Sequence, residues 1–69
     1  MNNLLIPDAI MLLEQASAQW SALSPDHPGY TELLDAINSL SSFVSGGTDA
    51  NTLAAAMGRL TQAMAAASN

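Results

Sequence analysis

His27 is the only histidine in the sequence, and histidine is the side chain whose ordinary proton affinity lies nearest neutral pH. It is therefore the first residue to consider for acid–base chemistry. It stands between Asp26 and Pro28, inside a run of turn residues. A serine nucleophile would need it as a base, and the pair would need a shielded, concave site that three short helices seldom form. Two readings follow. His27 is a turn residue that caps the following helix, or it is a pH switch whose charged form is favoured by the adjacent Asp26. Cysteine and lysine are both absent, so thiolate and amine nucleophiles are excluded. Metal binding fares no better. Glu32 and Asp35, three apart, share a helical face, whereas Asp8 and Glu14 are six apart. The Glu32–Asp35 pair reads as a solvated face rather than a ligand set. The expectation is a protein that is not an enzyme and carries no catalytic residue, no metal and no cofactor.

The charge balance points towards a protein partner. Asp8, Glu14, Asp26, Glu32, Asp35 and Asp49 face a single strong base, Arg59, and the net charge is −5. Such a chain repels phosphate, so nucleic acid and anionic membrane surfaces are not expected partners. A basic protein partner fits, and so does plain solubility. Only 10% of the residues are charged while 49% are apolar. Too few charges remain to cover the outside, so some apolar or alanine surface must face water or another protein.

With 69 residues the chain is at most one domain, spanning 1–69. A domain this size buries only about 60% of the surface its unfolded form exposes, and partners often supply the missing stability. No stretch approaches the roughly 20 apolar residues of a membrane span. The start, Met1-Asn2-Asn3-Leu4-Leu5-Ile6-Pro7-Asp8, lacks the basic region of a cleaved signal. The expected location is the cytoplasm, or outside the cell by a route without a cleaved signal.

Ser24-Pro25-Asp26-His27-Pro28-Gly29 and Ser45-Gly46-Gly47-Thr48-Asp49 divide the chain into three segments. The first predicted helix covers about 7–23, with Pro7 suited to the opening turn and Asp8 to its positive end. At 100° per residue, Ile6, Ala9, Ile10, Leu13, Ala16, Trp20 and Leu23 share one arc, with Leu5 and Leu12 at its edge. Glu14, Gln15 and Gln19 lie opposite, and Met11 among them should be exposed. The second helix is predicted at about 28–44, with Tyr30, Leu33, Ile37, Leu40 and Val44 inward and Leu34 alongside. Tyr30 is placed to pack on Trp20 across the turn, and Gly46-Gly47 supplies a left-handed stop. The third is predicted at about 50–66, capped by Thr48 or Asp49. Its Leu53, Met57, Leu60 and Met64 row should face the other helices, beside a smooth strip of Ala54, Gly58, Thr61 and Ala65. Ala67-Ser68-Asn69 should fray. No segment alternates with period two. The fold class is all-α: a small three-helix bundle, or a helical hairpin with the alanine-rich third helix packed across it.

Two short resemblances follow from these placements. Asn38-Ser39-Leu40 resembles the Asp-Ser-Leu pantetheine site of acyl carrier proteins, which are also small, acidic and helical. In that family the serine opens a helix, whereas Ser39 falls inside one. Pro25-Asp26-His27-Pro28 between two amphipathic helices is similar to the hairpin turn of type III secretion needle subunits. There the second helix is long, whereas here Gly46-Gly47 interrupts it. The first implies a carrier domain and the second a filament component.

The leading reading is an interaction module, an adaptor, inhibitor or chaperone, that docks a basic or helical partner protein through exposed apolar helix surface. Its candidate partner-binding residues are Met11, Phe43, Ala54, Met57, Gly58, Leu60 and Met64. Methionine and exposed aromatic side chains adapt to varied surfaces, and Ala54 and Gly58 permit close helix approach. Each has a plainer role: core filling for Met57, Met64 and Phe43, and approach by one of the chain's own helices for Gly58. The alternative reading is a self-assembling subunit, from a homo-oligomer to a filament. An acyl-carrier-like domain is the third.

Overall fold

The computed structural model describes residues 6–68, so the placements expected for Leu5 and Asn69 lie outside the described residues. Three helices, α1 (Ile6–Ser21), α2 (Tyr30–Gly46) and α3 (Ala50–Ala67), pack against one another, with no strand among the described residues. The chain is an all-α three-helix bundle. Two tight connections reverse it twice. As a result α1 and α3 run parallel, and α2 is antiparallel to both.

Each connection has a local cause. After Ser21 the chain tightens into three-residue turns, with Ala22 N–H donating to the Gln19 carbonyl and Leu23 N–H to that of Trp20. Leu23 therefore packs on the core from outside the helix rather than within it. Pro28 does not open α2; the helix begins at Tyr30 with Gly29 as its N-cap. His27 serves this turn. Its Nδ1 accepts the Gly29 N–H at 2.9 Å, and its carbonyl accepts the Tyr30 N–H at 3.0 Å. At the other end Gly47 adopts φ 71°, a left-handed conformation that costs other residues about 1–2 kcal/mol. There it and Thr48 both donate to the Phe43 carbonyl. Asp49 is the N-cap of α3, accepting the Thr52 N–H at 2.8 Å. Hydrogen bonds from Thr52, the hydroxyl first and then the backbone N–H, hold its carboxyl below the usual carboxylate range.

The core is built of leucine and alanine. Its fully buried large side chains are Leu33 and Leu40 of α2 and Leu53 and Leu60 of α3. Ala9, Ala16, Ala36, Ala56, Ala63 and Ala67 fill the remaining buried positions, together with Gly29. Along α3 the buried positions 53, 56, 60, 63 and 67 alternate steps of three and four, as the contact line of a packed helix does. Small residues let helix backbones approach closely, so contact lines centre on alanine and push bulkier neighbours to the flanks.

This moves several expected positions. On α1 the contact line runs through Ala9 and Ala16, which leaves Ile10 at 43% exposure instead of in the core. On α3 it runs through Ala56 and Ala63, which leaves Met57 and Met64 half-buried at the flank. Ala67, expected to fray, is buried. Gln19, expected on the wet face, is half-buried and donates across to the Met64 carbonyl at 2.9 Å and to Ser68 Oγ at 3.2 Å. Trp20 and Tyr30 meet as expected, with ring centroids 5.0 Å apart.

Gly29 shows how close the approach is. A Cβ built there would lie 3.2 Å from the Ala67 Cα and 3.4 Å from its Cβ. The glycine has an ordinary right-handed conformation, so what it supplies is space. Gly29→Ala should force the start of α2 off the end of α3 and cost about 1–3 kcal/mol in urea unfolding. An unchanged unfolding midpoint would show that the two ends are not held together.

Candidate functional site

Because α1 and α3 are parallel, their N-terminal halves lie side by side. The Gln19 side chain joins them near their C-terminal ends. N-terminal to that joint an open groove of about 370 Å³ lies between them. Asp8, Met11, Leu12 and Gln15 line it from α1, and Met57, Gly58 and Thr61 from α3. Leu12 and Met57 are half-buried and pack on the core, so they make its floor. Met11, at 59% exposure, stands on the outer lip and is the most exposed large apolar side chain among the described residues. Thr61 turns its hydroxyl back to the Met57 carbonyl at 2.9 Å, which leaves its methyl as groove lining.

Gly58 is the unusual member. It lies in the middle of α3, where glycine costs about 1 kcal/mol relative to alanine. A Cβ built there meets nothing within 4 Å. No helix of this chain approaches it, so the plainer reading of this glycine is corrected. Its backbone conformation does not require glycine either, since Gly47 is the only described glycine with positive φ.

Of the seven candidate residues, the fold gathers three, Met11, Met57 and Gly58, into one groove. Ala54 is exposed on the same helix but does not line it. Leu60 is fully buried between the helices and is unavailable to a partner. Met64 packs on the core, and its carbonyl takes the Gln19 and Ser68 hydrogen bonds. Phe43 lies on α2, half-buried against the core, because the buried line of that helix passes through Leu40 beside it. Asp8, Leu12, Gln15 and Thr61 complete the groove; none was among the candidate residues, although Thr61 was placed in the strip beside Gly58. Their signal was the parallel pairing of first and third helices, which two short connections dictate.

Arg59, next to Gly58 in sequence, belongs to the opposite flank. Its guanidinium donates to Ser39 Oγ on α2 at 3.3 Å. Among the described residues no three of His, Asp and Glu gather as a metal site would need, and no helix is long and apolar enough to cross a membrane. No protein-family model matches the chain, and neither a curated protein nor a solved structure is similar to it.

Filling the space at Gly58 with a methyl group should stabilise the isolated chain. Gly58→Ala is expected to raise the unfolding free energy by about 1 kcal/mol, measured by urea denaturation with circular dichroism. A loss of stability would mean that α3 needs glycine there for its own packing.

Proposed function

We propose that this protein is a small interaction module that accepts a helix of a partner protein in the groove between α1 and α3. One observation carries the reading. A helix-weakening glycine faces open space beside an exposed methionine, where no helix of the chain itself approaches. Absence of a side chain at 58 admits another backbone closely, and Met11, Leu12 and Met57 offer adaptable apolar contacts around it. The groove spans Asp8 to Gln15 on α1, eight residues whose ends lie about 10 Å apart along the helix. That length suits two turns of a partner helix.

The competing reading is a self-assembling subunit, in which the groove receives a second copy of the chain. A photo-crosslinking side chain in place of Met11 separates the two in extracts of the native cell. The docking reading expects crosslinks to an amphipathic helix of another protein, lost when Gly58→Leu fills the groove while thermal stability holds or rises. Crosslinks to a second copy, with sedimentation showing oligomers, would transfer the assignment to self-assembly. Capture that Gly58→Leu leaves intact would remove the groove from the binding site.

A further inference from the structure

We infer that the helix this groove takes up is basic, with a lysine or arginine placed against Asp8; the inference rests on the docking reading above. Asp8 is the only charged side chain among the groove residues. It is exposed, in the first turn of α1, and no base among the described residues lines the groove to offset it. The chain's single strong base, Arg59, is turned towards α2, where it donates to Ser39. A partner approaching along α1 and α3 therefore meets an apolar floor and one negative charge, on a molecule of net charge −5.

These charges also select against a second copy. A two-fold interface sets the same patch against itself. Across this groove it would join two chains of charge −5, each bringing Asp8 as its one groove charge and no groove cation to answer the other's. A basic amphipathic helix reverses each of those terms. Its apolar side chains cover Leu12 and Met57. The aliphatic stem of a lysine or arginine lies along Met11 while its charged end reaches Asp8. The small size of Gly58 and Thr61 lets that helix sit deep enough for both contacts.

The test uses two synthetic amphipathic peptides of identical spacing, one of leucine and lysine and one of leucine and glutamate. The readout is the methyl signals of Met11 and Met57 by NMR. The lysine peptide should shift both saturably and the glutamate peptide should not. Asp8→Lys should weaken the lysine peptide roughly fivefold and admit the glutamate peptide. Equal binding of both peptides in the groove would overturn the charge inference and leave helix docking standing. Lysine-peptide shifts scattered over Asp26, Glu32 and Asp35, with Met11 and Met57 unmoved, would overturn the docking reading itself. So would a failure of both peptides to bind. Met11 shifts that follow protein concentration without peptide would assign the groove to a second copy.

Discussion

The structure depends on one contact above the others, the leucine and alanine seam between α2 and α3. Leu33 and Leu40 interleave with Leu53 and Leu60, and all four are out of solvent. Burying each contributes about 1.5–3 kcal/mol, a large share for a chain whose margin is narrow at this length. Ala36, Ala56 and Ala63 set the spacing of the seam. They admit the facing helix closely enough for the leucines to meet with little void. The seam ends where Gly29 and Ala67 bring the start of α2 onto the end of α3. Methyl groups and missing side chains thus determine how near the helices come, and the leucines fill what that distance leaves.

The first helix is added to this pair on different terms. Its fully buried side chains are alanines, Ala9 and Ala16, flanked by half-buried Leu12, Leu13 and Trp20. At one end it is fastened by polar and aromatic contacts, Gln19 to the end of α3 and Trp20 against Tyr30. Further towards its start an open groove lies between it and α3 beside Gly58. Ile10 is left exposed because two neighbours cannot cover an apolar arc as wide as that of α1, and Met11 is exposed on the polar side of that arc.

Much of this was legible in the sequence, and the misreadings share one cause. Turn residues announced both connections, and Gly47 stops α2 in the left-handed conformation expected there. Heptad-like spacing announced three helices to within about two residues at each end. What periodicity could not weigh was alanine. Ranking positions by hydrophobic bulk put Met57 and Met64 on the contact line of α3, where close packing selects Ala56 and Ala63. On α1, Ala9 and Ala16 are buried as their arc predicted, while Ile10 of the same arc lies at its exposed edge. The glycines exchanged roles for the same reason. Gly29 looked like a turn residue and is a packing contact, while Gly58 looked like a packing contact and faces open space. A one-dimensional pattern shows that a residue is small; only the assembled helices show what uses the space. Asp8 and Gln15 were placed on α1 but not joined to the strip of Gly58 and Thr61, because each helix was read by its own pattern and only the parallel pairing of α1 and α3 sets them around one groove.

A leucine-filled α2–α3 pair thus supports an α1 whose fully buried side chains are alanines. Residue-resolved native-state hydrogen exchange separates local from global opening by their free energies. The backbone amides of Leu33, Leu40, Leu53 and Leu60 should exchange only with global unfolding. Those of Ala9, Leu12 and Leu13 should exchange through a cheaper opening that leaves the seam intact. Equal protection of α1 and the seam would contradict this order of opening, since all three helices would then open as one unit and no element would be set apart by the way it is packed.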